Sequence, residues 1–435
     1  MPAAAAAKTS SARIAVVGAG WAGLACAVEL AAAGYAPTLF EAGRQAGGRA
    51  RGIDLAGRRL DNGQHLLLGA YQETLRLLER IGSAQRLRRQ TLTLAAPAQG
   101  FRLALPRLPA PLHLAAGLLA ARGVGWGEKL AAVRFMRRLQ ASHYRLEHDC
   151  SVAELLDRHQ QRGALRQLLW QPLCLAALNT APEQASAQVF ANVLRDSLGG
   201  QRAATDMLLP DGDLGQLCAE PALAYLAAHG GHWRPATRIK RLERNGKCWR
   251  LAAEDFTQVV VATAPQHATA LLADLPELAE VHAALAGYRY EPIATVYLGY
   301  PPATRLAEQM LMLPGPHGQF VFDRGQGVLA CVISASGPWQ QLDSDALAAA
   351  LHLELQQAAG QLARPLWQHM VCERRATYAC TPNLTRPTNR TALPGLWLAG
   401  DYTAGDYPAT LEGAVQSGVL AARQVLTTLA QPSTH

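Results

Sequence analysis

Val17-Gly18-Ala19-Gly20-Trp21-Ala22-Gly23 decides how this chain is read, because of what stands on either side of it. Arg13 to Val17 is an apolar run of strand length, and Ala22 to Ala33 is an alanine-rich run of helical length closed by Gly34. Pro37 to Glu41 reads as a second strand, so the three pieces form a βαβ unit with the glycines at its first turn. In that context Gly18 permits the tight turn, Gly20 lets backbone approach a pyrophosphate, and Gly23 lets the helix sit close on the strand. Phosphate charge then meets the positive end of the helix. Glu41 is placed to accept hydrogen bonds from ribose hydroxyls, which favours a ribose without a 2′-phosphate.

Past the acid, Glu41-Ala42-Gly43-Arg44-Gln45-Ala46-Gly47-Gly48-Arg49 resembles the E-x-x-x-x-x-G-G-R run of the amine oxidase and phytoene desaturase superfamily. The resemblance points to FAD over NAD, and implies that Arg49 lies against the pyrophosphate while the paired glycines let the chain pass the flavin. Near the other end, Leu396-Trp397-Leu398-Ala399-Gly400-Asp401 and Pro408-Ala409-Thr410-Leu411-Glu412-Gly413-Ala414 resemble the closing FAD motif of the same superfamily. It implies that Asp401 binds the ribityl or phosphate region and that the amides of Thr410 and Leu411 face the N1–C2=O edge of the flavin. A helix N-terminus aimed there stabilises the negative charge of reduced flavin by up to ~2 kcal/mol. Arg238-Ile239 and the strand Val259 to Ala262 complete the pattern. The expected cofactor set is Gly18, Gly20, Trp21, Ala22, Gly23, Glu41, Ala42, Arg44, Gly48 and Arg49 from the N-terminal motifs, and Asn62, Gly63, Gln64 and His65 from the next loop. Arg238, Ile239, Ala262, Gly400, Asp401, Thr410 and Leu411 follow from the later ones.

Two further segments narrow the resemblance. Asp61-Asn62-Gly63-Gln64-His65-Leu66-Leu67-Leu68-Gly69-Ala70-Tyr71 and Trp170-Gln171-Pro172-Leu173-Cys174-Leu175-Ala176-Ala177-Leu178-Asn179-Thr180, with Arg195-Asp196-Ser197-Leu198, resemble the hydroxysqualene dehydroxylases of hopanoid synthesis. That family implies reductive removal of an allylic hydroxyl from a long isoprenoid alcohol, hydroxysqualene, giving squalene and oxidised flavin. The chemistry asks for a proton donor to release water and a dry pocket around an allylic cation. His65 is the first candidate for the donor, from its loop past the flavin, followed by Asp406 and Tyr407 just before the closing helix. Two readings compete. A carotenoid-type desaturase or amine oxidase shares every cofactor motif and moves hydride from substrate to FAD; a prenyl-lipid carrier of the Rab escort or GDP-dissociation-inhibitor type shares the architecture without redox chemistry.

The bulk properties fit this reading. A chain of 435 residues with 17% charged side chains is an ordinary folded protein too long for one simple core. The expected class is α/β, a Rossmann-type FAD-binding domain from residues 13–80, 205–265 and 385–430, with an inserted α+β substrate domain from 81–204 and 266–384. Residues 1–12 read as a disordered leader. Helices are expected over Tyr71 to Ile81, over Val152 to Trp170 behind a Ser151/Glu154 capping box, over Ser344 to Leu362 with Leu347, Leu351 and Leu355 on one face, and from Thr410 to Leu429. Eight scattered cysteines suggest neither a disulfide framework nor a metal site, and reduced cytosolic thiols. Only one G-x-G-x-x-G is present, so a separate electron donor is expected.

Charge is uneven. Between Arg80 and Arg145 stand twelve basic residues and a single acid, Glu128, although the whole chain carries only +8. Leu112, Leu114, Leu118 and Leu119 form an apolar patch within that stretch, flanked by Arg107 and Arg122. An anionic membrane surface is the expected partner, at ~1 kcal/mol for each basic residue near it. Leucine- and proline-rich sequence between the charges suits lipid better than nucleic acid, and no run reaches the length of a membrane-spanning helix. A cytoplasmic enzyme peripheral to the inner face of the cell membrane is the resulting expectation.

Overall fold

A computed structural model describes residues 12–431, so the expected leader lies outside the described residues apart from Ala12. The glycine motif opens the helix it predicts. Strand β1 (Ile14–Val17) is buried at every position and runs into α1 (Trp21–Ala32), which leads to β2 (Thr38–Phe40). With β3 (His232–Arg234), β4 (Gln258–Val261) and β5 (Leu396–Leu398) they form a parallel sheet in the order β3-β2-β1-β4-β5. Val17 pairs with Phe40 on one side and Val261 on the other. The continuous Ile/Val/Leu runs of β1, β4 and β5 suit a sheet covered on both faces.

Close approach sets this half. Gly18 has φ +106°, and a Cβ on Gly23 would stand 1.9 Å from the carbonyl oxygen of Gly18. Only glycine lets α1 lie that near β1. On its far side α1 meets the closing helix, Leu411–Ala430, where a Cβ on Gly418 would lie 2.1 Å from the Ala22 carbonyl oxygen. The last helix of the chain is thereby locked against the first.

The other half is an antiparallel sheet of strands Met310–Met312, Phe320–Asp323, Val328–Ser334, Tyr290–Gly299 and Trp367–Tyr378, side by side in that order. Helix Ser344–Ala359 lies on it with Leu347, Leu351 and Leu355 fully buried, the face its periodicity predicts. Helices over Gln72–Arg80 and Leu411–Ala430 also stand where the pattern puts them.

Two expectations need correction. The helix read over Val152 to Trp170 starts as predicted, with Ser151 Oγ accepting from the Glu154 amide at 3.1 Å, but ends at Arg158. Gln160 and Gly163 take φ of +54° and +67°, which no helix continues through, and the chain resumes as a wide turn over Arg166–Trp170 leading into helix Gln171–Leu178. Trp367–Tyr378, a twelve-residue strand, went unread because Glu373, Arg374 and Arg375 interrupt any apolar alternation. Among the described residues no helix is long and apolar enough to cross a membrane.

The packing of the first and last helices is testable. Gly418→Ala forces a methyl into the backbone of Ala22 and should cost roughly 1–3 kcal/mol, the usual range for overpacking. Thermal unfolding of the holoprotein reads it as a lowered Tm; an unchanged Tm would mean that the two helices do not depend on this contact.

Candidate functional site

The cleft between the two sheets encloses about 750 Å³, a volume usual for a small-molecule site. Its floor is the start of α1. Helix α1 has no side chain on its N-cap and no acidic residue in its first turn, so its leading amides are left facing the cleft. A Cβ built on Gly20 meets nothing within 4 Å, which makes this residue the wall of an open space. An uncapped helix start beside such a space fits a pyrophosphate. Glu41 stands at the same end, its carboxylate accepting from the amides of Ala19 at 2.9 Å and Gly43 at 2.8 Å. Two backbone bonds fix its direction and leave lone pairs for ribose hydroxyls.

Trp21 and Ala22 share this wall with Ala42, Gly48, Ala262, Arg238 and Ile239. Gly23 and Arg44 do not. Gly23 faces Gly18 and acts through packing, and Arg44 is exposed on the loop. Across the cleft, Arg49 donates to both oxygens of Asp401, at 2.8 and 2.7 Å, and to the Ala376 carbonyl at 2.6 Å. The first and last cofactor motifs are thus joined by an ion pair in which Arg49 Nη2 donates to both carboxylate oxygens, while Nη1 reaches the strand Trp367–Tyr378. That strand also brings Glu373, Arg375 and Thr377 to the wall. Gly400, Thr410 and Leu411 complete it, with Thr410 Oγ1 capping the closing helix through the Gly413 amide at 3.1 Å.

Glu412, next in sequence, turns away. Its carboxylate accepts from the amides of Glu73 and Thr74 and from Thr74 Oγ1, so it caps helix Gln72–Arg80 from outside. Burial pushes its pKa up while these donors hold it down. The sequence places Glu412 inside the closing FAD motif and gives no sign of this capping role.

The loop Asn62-Gly63-Gln64-His65 lines the cleft as expected and is strapped to both halves. Asn62 exchanges bonds with the backbone of Arg51, the Gln64 amide donates to Thr295 Oγ1 at 3.0 Å, and Tyr297 donates to the Asp61 carbonyl at 2.9 Å. His65 Nδ1 lies 2.7 Å from the Gly63 carbonyl oxygen, which only accepts, so Nδ1 carries the proton. Burial lowers the imidazole pKa to about 4; the Gly63 bond raises it, and Arg49 and Arg324 lower it further. At neutral pH the ring is uncharged.

Asp406 and Tyr407 are not among the cleft-lining residues. Asp406 is exposed and paired with Arg195 at 3.2 Å. Tyr407 bonds the Asp196 carboxylate, and burial pushes its pKa well up, so it holds its proton. Arg386, donating to the Tyr407 and Gly405 carbonyls, pins the same strap. The segment Arg195-Asp196 therefore positions the chain before the closing helix. Asn179 plays a similar part: buried, with φ +47°, it donates to Thr377 Oγ1 at 2.9 Å and accepts from the Ala335 amide at 2.7 Å. It ties a helix end to the antiparallel sheet beside the cleft.

Neither cysteine nor histidine stands in Pro408 to Glu412, the stretch expected beside the flavin, and none of the eight cysteines lines the cleft, so FAD should be held without a covalent bond. Acid precipitation is expected to leave the yellow colour in solution; colour in the pellet would contradict this. Gly20→Val has room in the empty protein and should fold, with an unchanged far-UV spectrum, yet purify colourless because the side chain fills the pyrophosphate space.

The fold recurs in putrescine oxidase with bound putrescine, at a TM-score of 0.72 and 16% identity over 96% of this chain and 99% of that one. A hydroxysqualene dehydroxylase from Rhodopseudomonas palustris is 33% identical over 94% of this chain and 97% of its own length. A 15-cis-phytoene desaturase from Synechococcus elongatus is 25% identical over 95% and 96% respectively. The flavin-containing amine oxidoreductase family matches residues 21–426. The chain belongs to that family and is an FAD-dependent oxidoreductase.

Proposed function

We propose that this enzyme reductively dehydroxylates hydroxysqualene to squalene, working at the cytoplasmic face of the membrane with electrons from a separate donor. The observation that carries the reading is the likeness to hydroxysqualene dehydroxylases along nearly the whole chain, at 33% identity to the one from Rhodopseudomonas palustris against 25% to the phytoene desaturase from Synechococcus elongatus. FAD, when bound, supplies hydride exchange with carbon. The start of α1 and Arg49 would hold its phosphates, and Thr410 and Leu411 would hold its ring edge.

His65 is the proton donor in this proposal. Its Nδ1–H is committed to Gly63, so Nε2 alone serves the substrate oxygen, and Nε2 carries a proton only in the cationic ring. With a pKa near about 4, that form grows about tenfold for each pH unit lost between 7 and 5. Dehydroxylation should therefore accelerate as pH falls, and His65→Ala should abolish the slope while keeping FAD bound. A rate independent of pH, or a variant with the parent profile, removes His65 from the role.

Reaction direction separates this function from desaturation. Chemically reduced enzyme mixed anaerobically with hydroxysqualene should regain the yellow absorbance of oxidised flavin, with squalene as product. Desaturation of phytoene or squalene by oxidised enzyme, with no dehydroxylation, would establish the opposite direction.

A further inference from the structure

The helix pair α2 (Leu112–Ala120) and α3 (Trp126–Ala141) shows an outer face that the fold leaves uncovered. Helix α2 contains no charged residue, a composition normally buried all round, yet Leu112 is 57% exposed and Leu119, two turns on, also faces out. Leu114 and Leu118, read from sequence as part of the patch, point into the core instead. Their places outside are taken by Leu108, by Trp126 at 66% exposure, and by Leu130 one turn further along α3. Five of the eight large exposed apolar side chains of the described residues fall in this one short stretch.

Charge around the face has one sign. Arg80, Arg88, Arg89 and Arg102 are spent on carboxylates elsewhere. Arg107, Arg122, Arg134, Arg137, Arg138 and Arg145 are exposed, and no carboxylate pairs with them among the described residues. Glu128, the lone acid, turns inward to accept from the Leu165 amide at 2.9 Å. Lys129 is buried; it donates to the Leu119 carbonyl at 2.8 Å and lies 4.7 Å from the centre of the Trp126 ring. This lysine clamps the end of α2 to the start of α3 and fixes Trp126 beside Leu119. Along α3, Trp126 and Leu130 are followed at helical spacing by Arg134 and Arg137, so the face grades from apolar to basic.

We infer that this face docks the enzyme on an anionic lipid bilayer, with Leu112, Leu119, Trp126 and Leu130 entering the interface and the unpaired arginines meeting lipid phosphates. A second copy does not suit it, because a self-paired patch would oppose arginine to arginine. Nucleic acid would satisfy the arginines but leave the leucines and Trp126 in water. Interfacial helices combine these two features, an apolar edge and a basic surround. The inference deepens the proposed function by saying how a bilayer-dissolved substrate is reached, yet it is tested without substrate.

Holoenzyme is sedimented with phosphatidylcholine vesicles made with and without phosphatidylglycerol. Binding is expected only with phosphatidylglycerol, weakening as salt is raised. Leu112→Ser/Trp126→Ser should weaken it at least tenfold, and Arg134→Glu/Arg137→Glu should do the same, both with parent flavin content and parent turnover of detergent-dispersed substrate. Three outcomes overturn the inference: recovery in the supernatant with both vesicles, variants that bind like the parent, or a concentration-dependent dimer lost in Leu112→Ser/Trp126→Ser. Retention on duplex DNA without vesicle binding would assign the face to nucleic acid. Vesicle failure leaves dehydroxylation standing, and failed dehydroxylation leaves docking standing.

Discussion

The contact between backbone and backbone at Gly23 and Gly418 is the constraint on which the site rests. A methyl carbon at either position would stand about as far from a carbonyl oxygen as an ordinary hydrogen bond places a proton, far inside van der Waals distance. Because none is there, α1 lies against β1 on one side and the closing helix lies against α1 on the other. Both helices then begin at the same cleft, one with uncapped amides and the other with its first turn, where we propose the pyrophosphate and the flavin ring respectively. Residues some four hundred positions apart in sequence come to line one cleft by close packing of glycine.

Polar bonds across the cleft hold the two halves in register. Arg49 joins Asp401 and the carbonyl of Ala376, so a single guanidinium connects the N-terminal motif, the C-terminal motif and the antiparallel sheet. Thr295 and Tyr297 reach from that sheet to the loop bearing His65. Asp61, which begins the loop, is buried with its pKa raised to about 6 by desolvation, against Arg324 and the Leu214 amide, which lower it. The loop is therefore tied at several points along the cleft, and the direction of the His65 ring is set by Gly63.

The cofactor half was legible in the sequence because its requirements are local. A turn glycine, a helix start and an acid after the next strand each leave a mark at fixed spacing, and Gly18, Gly20 and Glu41, which carry those marks, line one cleft with Arg49, Asp401 and Leu411, which the family resemblance supplied. What stayed hidden depends on distant partners. Trp367–Tyr378 carries three charged residues in a row and shows no alternation, since its side chains face a sheet edge and the cleft rather than one apolar core. Glu412 belongs to the closing motif by sequence but caps another helix. The segments around Asn179 and Arg195, which narrowed the resemblance, proved to be ties between elements; side-chain-to-backbone bonds over such separations have no signature in sequence. The apolar patch was half right for a related reason: α2 is apolar all round, so periodicity gave no means of choosing which leucines face out.

The central claim is that two hydrogens of different origin reach the substrate carbon and oxygen, hydride to carbon and a proton to the departing hydroxyl. Reducing the holoenzyme in deuterated water and adding hydroxysqualene anaerobically tests this directly, because the hydrogen carried by reduced flavin exchanges with solvent before transfer. The account predicts squalene bearing one deuterium, on the allylic system that lost the hydroxyl. Unlabelled squalene, or deuterium-free products of further desaturation, would contradict it.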